Sequence, residues 1–246
     1  MNPNVTSRLS ITLHGYLSHH SYVRKSCSGL QLARILLMPR ARIAIVAKSL
    51  LATIVLGSVV FAFRASGDFL VVDNREQSDA IVITQADSLD SAYWMGLNLL
   101  NSGYGREMLI DARSNRMFFG RTQADWAGEF IKTTAAALDD RVRVCPIVAD
   151  TTAEEAYDVV NCLKGRSIHS VMLVVHDFHC RRSLSMFSRL LPQYRWSVAA
   201  VPDNTRFGRH WWRRREWIRT TMIEWQHMLW WQIVDRWRYL PVVSAM

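Results

Sequence analysis

Apolar positions form one long unbroken run near the N-terminus, followed by short apolar runs that alternate with amphipathic stretches. The long run, Ile43 to Phe63, reads IAIVAKSLLATIVLGSVVFAF and contains one charged side chain, Lys48. As a helix it is about 31 Å long, enough to cross a hydrocarbon core of about 30 Å. A core helix of a soluble protein would show a polar stripe, which this run lacks apart from Lys48. The pattern therefore predicts a transmembrane helix.

Cleavage and orientation of this helix follow from its flanks. A cleaved signal peptide is the alternative, but Phe61, Phe63 and Arg64 stand where small residues would be needed, which favours an uncleaved anchor. Residues 1–42 contain basic but no acidic side chains, whereas acidic residues dominate after Arg64. Because positive flanks stay in the cytoplasm, we expect a single-pass protein of the inner (plasma) membrane with an extracytoplasmic C-terminal domain.

The later alternation predicts an α/β fold, a Rossmann-like three-layer sandwich with a mostly parallel sheet of about five strands. Continuous β-branched runs are typical of parallel strands that are covered on both faces. The predicted strands are residues 80–84, 108–111, 142–148, 171–175 and 196–201. The predicted helices are about 88–101, 123–138, 153–164, 180–191 and 212–236.

Four regions follow from these patterns. Residues 1–42 form a cytoplasmic basic tail, predicted to be disordered, 43–63 the membrane helix, 64–78 a linker and 79–246 the α/β domain. Met38 also opens a complete signal-anchor sequence, so either Met1 or Met38 is the start. We expect no internal repeat and no second folded domain.

The net charge of +9 at first suggests a nucleic-acid partner. Nearly all of it lies in the first 64 residues, which carry eight basic and no acidic side chains. The remaining chain is almost balanced. The charge distribution therefore predicts no nucleic-acid partner, and the Trp- and Arg-rich C-terminal segment indicates membrane lipid instead.

In folds of this class, ligands bind at the carboxyl edge of the sheet, where strands end and helices begin. The junction after the fourth strand contains His179 and Arg182, three residues apart at the start of a helix. Both should project from one face near the positive helix end, which suits a phosphate or carboxylate. Alternatively, Arg181 and Arg182 are solvated and His179 merely caps the helix.

The four junctions together supply further polar candidates for substrate binding. They are Asp87 after the first strand, Arg113 after the second, Thr152 after the third and Asp177 after the fourth. Glu154 follows Thr152 closely and is a candidate acid or base. The pairs Thr151/Thr152 and Glu154/Glu155 also fit the S/T-x-x-E capping box in either register, a purely structural explanation.

Other chemistry finds little support in the sequence. Cys145 and Cys162 can pair, but single cysteines on a strand and a helix are more often buried singly. His176, Asp177 and His179 have no further clustered ligand, so we expect no metal. Since no G-x-S-x-G, G-x-G-x-x-G or P-loop occurs, no cofactor is expected.

Three segments resemble the YdcF-like domain family, whose relatives include SanA and ElyC. Asp79–Ile83 (DAIVI) is similar to its opening strand DAIVVLG, and Thr152–Ala156 (TAEEA) to its helix start T-x-E-N-A. Residues 171–183 (VMLVVHDFHCRRS) are similar to VLLVTSxYHMxRA. Their order and spacing agree, as does an anchor before the domain.

The resemblance implies functional roles for matching positions only. His179 and Arg182 fall on the family's His and Arg, and Thr152 and Glu154 on its Thr and Glu. It further implies a role in cell-envelope biogenesis, around lipid-linked glycan carriers.

Several departures make the chain a divergent member. Gln85-Ala86-Asp87 replaces the family's Gly-rich turn, and Asp111-Ala112-Arg113 replaces its Ser-Gly turn. Glu155 stands at the family's Asn, and Val175-His176 at its Thr-Ser. The first replacement leaves no glycine in the turn to let the backbone approach a phosphate.

The C-terminal segment is rich in tryptophan and arginine, a pairing typical of membrane interfaces. We expect part of this set to pack on the sheet and part to form a basic, aromatic outer edge near the membrane. The residues are Trp211, Trp212, Trp217, Trp225, Trp230, Trp231 and Trp237, with Arg206, Arg209, Arg213, Arg214, Arg215 and Arg219.

Two functional hypotheses follow. One is an envelope enzyme or binding protein for a phosphorylated or lipid-linked precursor, with His179 as acid/base or phosphate donor and Arg182 as anion clamp. It predicts that His179, Arg182, Glu154 and Asp87 converge on one pocket. The other is a non-catalytic anchored module that binds a protein partner or lipid through the Trp/Arg helix. A soluble nucleotide-binding protein is a weaker third reading, because the required glycines are missing.

Overall fold

The computed structural model describes residues 40–84, 90–134 and 140–242. It confirms the α/β fold class: a five-stranded parallel sheet has helices on both faces, as in a Rossmann-like sandwich. The strand order is β5-β2-β1-β6-β7. The sheet strands are β1 (Ala80–Ile83), β2 (Glu107–Arg113), β5 (Val142–Ile147), β6 (Ser170–His176) and β7 (Arg195–Val201). A separate hairpin contains β3 (Met117–Phe118) and β4 (Arg121–Thr122).

Helices connect these strands. They are α1 (Arg40–Leu70), α2 (Asp90–Asn101), α3 (Gln123–Thr134), α4 (Thr152–Leu163), α5 (Cys180–Leu190) and α6 (Arg215–Trp230). The predicted C-terminal helix, about 212–236, corresponds to α6 together with the turns that follow it as far as Arg238. Helix α6 is preceded by a 3₁₀ turn at Trp211–Arg213 and continues as a π-helical turn, Trp231–Asp235.

The side chains of the central strand β1 are buried on both faces of the sheet. All four of its residues are fully buried. Ala80 and Val82 join one apolar cluster, whereas Ile81 and Ile83 join the other. Because alternate side chains of a strand point to opposite faces, an unbroken apolar run fills two cores at once.

Helix α1 contains the apolar run that predicts the membrane anchor. Among the described residues, it is the one helix long and apolar enough to cross a membrane, over Arg42–Leu70 with a mean hydropathy of 2.2. Its most apolar stretch has no buried residue. The helix continues to Leu70, through the first half of the predicted linker.

The last turns of α1 pack against the α/β domain. The rings of Phe63 and Trp211 lie 4.5 Å apart, and those of Phe69 and Trp225 are stacked at 5.3 Å. Gly67 is required here, since a Cβ atom would lie 2.5 Å from Cδ1 of Trp211. The end of the apolar segment is therefore held firmly on the domain.

One disulfide bond corrects the expectation of singly buried cysteines. Cys145 in β5 is bonded to Cys162 in α4, and their Cα atoms are 5.9 Å apart. Spacing alone could not reveal this pairing, because it depends on how α4 crosses back over the edge strand. Cys180, in contrast, is a buried free thiol.

Candidate functional site

The predicted pair His179 and Arg182 lies at the carboxyl edge of the sheet. Strand β6 ends at His176, a 3₁₀ turn covers Asp177–His179, and α5 begins at Cys180. Both side chains are almost completely buried, with 8% and 9% exposure. Neither is solvated, so the alternative of a freely exposed Arg182 is excluded.

Arg182 is the centre of a buried hydrogen-bond network. Its Nε and Nη2 donate to the two carboxylate oxygens of Glu224, at 3.0 and 3.2 Å. Its Nη1 donates to the hydroxyl of Thr152 at 3.1 Å, and Nη2 lies 2.8 Å from Nδ1 of His179. Two of the residues that the sequence proposed as partners, His179 and Thr152, therefore do meet at Arg182.

Glu224 is a member of this network that the sequence did not reveal. Burial alone would raise the pKa of its carboxyl, but His179 and Arg182 outweigh burial and lower the pKa to about 2. Glu224 is thus an anion that balances the guanidinium charge. Its spacing with the buried Thr221 and Met228 offered one signal, since a lone Glu on the inward face of an amphipathic helix requires a buried partner.

His179 has two distinct ring nitrogens. Nδ1 faces Arg182 and also lies 3.2 Å from the Glu224 carboxylate. Nδ1 therefore contacts both a guanidinium, which only donates, and a carboxylate, which only accepts. Nε2 is buried and has no hydrogen-bond partner among the described residues. It is therefore the ring nitrogen that the network leaves without a partner.

Two cavities flank this network, and Arg182 and His227 line both of them. The larger has a volume of about 380 Å³ and also includes Arg113, Asp150 and Thr152. The smaller, about 210 Å³, also contains Thr84, His176, Phe178, His179, Arg206 and Glu224. Burial first, and then the nearby Arg182 charge, lowers the pKa of His227.

The charges around the smaller cavity largely cancel. Glu224 balances Arg182, and Asp203 accepts a hydrogen bond from Arg206 at 2.6 Å. The cavity therefore offers directed N–H and O–H donors more than a net positive field. Such donors suit an oxygen-rich group, for example a phosphate, that accepts several hydrogen bonds.

The remaining predicted site residues have separate positions. Arg113 lines the larger cavity and is paired with Asp150 at 2.9 Å. Asp177 accepts a hydrogen bond from the Phe178 N–H, and burial raises its pKa to about 6. Asp87 lies outside the described residues.

Glu154 forms the capping box of α4 that the S/T-x-x-E motif predicts. With Thr151 as the N-cap of α4, Glu154 N–H donates to the Thr151 hydroxyl, and its carboxylate accepts from the Thr151 N–H. It is not among the residues lining either cavity described above. A catalytic part for Glu154 stays a prediction.

Two positions at which the chain departs from the YdcF-like pattern interact with each other. Asp111 near the end of β2 and Glu155 in the first turn of α4 are both fully buried. Burial, and secondarily the Glu155 carboxylate, raises the pKa of Asp111 well above its ordinary value. The two replaced residues therefore interact with each other, and Glu155 lies three residues after Thr152, which lines the larger cavity.

In comparisons with known proteins, the chain matches no family model, no curated protein and no solved structure. The YdcF-like resemblance therefore stays a prediction carried by the three segments described above.

Proposed function

We propose that this chain is a membrane-anchored extracytoplasmic protein of the YdcF-like type. Its role is in cell-envelope biogenesis, where it binds or processes a phosphorylated or lipid-linked precursor. The observation that carries this proposal is the meeting of His179, Arg182 and Thr152 beside two cavities at the carboxyl edge. These are positions at which the resemblance implies functional residues.

The extracytoplasmic location has two sources of support. The basic flank precedes the apolar helix and acidic residues follow it, which favours an outward-facing domain. The Cys145–Cys162 disulfide in the domain suits an oxidising compartment, since such bonds are rare in the cytosol. The charge pattern and the disulfide are independent of each other.

The chemistry of the smaller cavity fits a phosphate group. In this proposal, Nε2 of His179 donates a proton to a phosphate oxygen, while Nδ1 stays in contact with Arg182 and Glu224. If the site is catalytic, the same proton is positioned to protonate a leaving oxygen. Arg182 would contribute orientation more than charge, because Glu224 neutralises it.

Binding measurements on the full chain in nanodiscs test this proposal. The probes are inorganic phosphate and a short-chain polyprenyl phosphate, which distinguish the phosphate group from its lipid-linked form. His179→Gln should weaken binding about tenfold or more, the value of a hydrogen bond to a charged group. His169→Gln is the control, because His169 is exposed at the opposite edge of the sheet. Equal binding by both variants would refute the assignment.

A second candidate is a non-catalytic module that binds lipid or protein through its C-terminal segment. As expected, part of the aromatic set packs inward, with Trp211 and Trp231 buried. The outer side exposes a group of large apolar residues, which favours this candidate. They are Leu229, Trp230, Ile233, Trp237 and Leu240, each more than half exposed. Loss of lipid binding in Trp237→Ser, with the His179→Gln variant unaffected, would support it.

A further inference from the structure

The β3–β4 hairpin presents an aromatic ring to water in a conformation that aromatic residues rarely adopt. Its two-residue turn is Phe119-Gly120, with φ angles of 51° and 80°. Turns with two positive φ values favour Asn-Gly, because a large L side chain is strained there. The Phe119 side chain is nevertheless fully exposed, and Met117 is 69% exposed. Folding alone explains neither the residue nor its exposure.

The base of the hairpin is fixed, so the exposed tip is held at a defined place. Arg113 and Arg116 both donate to Asp150, at 2.9 and 2.7 Å. Asn115 donates to the carbonyl of Val148 at 2.8 Å. These contacts bind the segment after β2 to the segment after β5. The tip therefore projects from a base that three side-chain hydrogen bonds connect to the carboxyl edge.

The tip combines apolar and basic side chains. Met117 and Phe119 lie between Arg116 and Arg121, and the Arg121 guanidinium lies 5.1 Å from the Trp126 ring centre. An apolar tip with flanking arginines and a tryptophan matches the composition of segments that sit at lipid headgroup depth. Arginines there bind lipid phosphates while the apolar side chains enter the acyl boundary.

The last residue of the apolar run lies at the same edge of the sheet. Phe63, the last residue of the apolar run, contacts Trp211 in the connection between β7 and α6. Trp211 packs in turn on Phe178 and Phe207, which follow β6 and β7. The carboxyl edge near β7 therefore lies at the end of the apolar run. Since β2 is three places from β7, the hairpin base is about 14 Å away along this edge.

We infer that the hairpin tip, Met117 and Phe119 with Arg116 and Arg121, is a second membrane contact that inserts into the lipid surface. With the anchor at the β7 side, it turns the carboxyl edge and its two cavities toward the bilayer. A ligand entering those cavities would then be a lipid headgroup. This inference rests on the membrane anchoring in the proposed function.

Site-directed fluorescence on the full chain in liposomes tests this contact. An environment-sensitive thiol probe is placed at Phe119→Cys, at Phe61→Cys in the apolar run, and at Lys164→Cys, which is exposed at the opposite edge. Cys27→Ser provides the background, and Cys180 is buried. Lipids that carry a quencher near the headgroup or deep in the acyl chain report the depth.

The probe at position 119 should be quenched by the shallow label more than by the deep one. Position 61 should be quenched by the deep label, and position 164 by neither. Quenching at 61 but not at 119 overturns the hairpin contact and leaves the anchor intact. Absence of quenching at 61 overturns the anchor and, with it, the inference. If the fluorescence of the probe at position 119 changes with the amount of protein per liposome but is not quenched by either lipid label, the tip contacts another copy of the chain. That result also overturns the inference.

Phe119→Asn separates a lipid contact from a structural role. It creates the Asn-Gly turn that this geometry favours, so the melting temperature should stay the same or rise. A probe at Met117→Cys should then lose its shallow quenching. Unfolding of Phe119→Asn would show that the ring stabilises the fold and would overturn the inference.

Discussion

Replacing Glu224 by Gln should destabilise the fold strongly, although the substitution preserves size and a hydrogen-bond acceptor. In the folded protein the pKa of Glu224 is lowered from an ordinary 4.5 to about 2. Each pKa unit corresponds to about 1.4 kcal/mol, so the carboxylate contributes about 3 kcal/mol at neutral pH. Removing the partner of a buried guanidinium costs a similar amount, about 3–5 kcal/mol. For a domain of this size, the melting temperature should fall by about 6–12 °C.

The pH dependence gives this prediction a specific sign. Because the folded pKa is lowered, the stabilisation is complete above pH 4.5 and is lost as the pH falls toward 2. The difference between parent and Glu224→Gln should therefore be constant near neutrality and shrink over this acidic range. Thermal unfolding of the full chain in detergent, followed by near-UV circular dichroism at several pH values, measures both effects.

Glu216→Gln is the matched control on the same helix. Glu216 is exposed and lies 3.9 Å from Arg219, so its loss should cost less than about 1 kcal/mol. Equal effects of the two substitutions, or a Glu224→Gln difference that persists at pH 2, would refute the buried ion pair. Combining Arg182→Met with Glu224→Leu should recover part of the lost stability, because neither charge is then left alone.

Two further predictions concern stability. Reducing the disulfide, or replacing both Cys145 and Cys162 by Ser, should lower the free energy of unfolding by about 3 kcal/mol, because the bond closes a loop of 17 residues. Denaturation with and without reductant would measure this loss, and an unchanged midpoint would contradict it. Asp111→Asn should raise the stability at pH 8. Because the folded-state pKa of Asp111 is raised, the fold favours the neutral carboxyl, and its stabilisation is lost as the pH rises, whereas Asn stays neutral. A melting temperature below that of the parent at pH 8 would disprove this.

The fold was predictable because hydrophobic runs specify strands and helices locally. The apolar run 80–84 matches β1 (Ala80–Ile83), and the predicted helix 153–164 matches α4 (Thr152–Leu163). The β3–β4 hairpin was missed, since its strands have two residues each and its turn lacks the usual Asn-Gly signal. Register and pairing of such short strands depend on contacts with Asp150 and Val148 that are distant in sequence.

The candidate site was predictable only in part. The His179–Arg182 spacing places both side chains on one helix face, and the start of α4 brings Thr152 to them. Glu224 lies 42 residues beyond Arg182 and reaches it through tertiary packing of α6, which local spacing does not encode. The surroundings of the His179 ring depend on that same distant carboxylate, which lies 3.2 Å from Nδ1.

Photo-crosslinking tests most directly whether the cavities at the carboxyl edge receive a phosphorylated lipid. The full chain in nanodiscs is exposed to a polyprenyl phosphate that carries a diazirine beside the phosphate, and labelled peptides are identified by mass spectrometry. The matching polyprenol without phosphate is the control. Phosphate-dependent labelling should fall in residues 176–186 and 227–230, which line the two cavities. Identical labelling by both lipids, confined to residues 43–63, would contradict the proposed site.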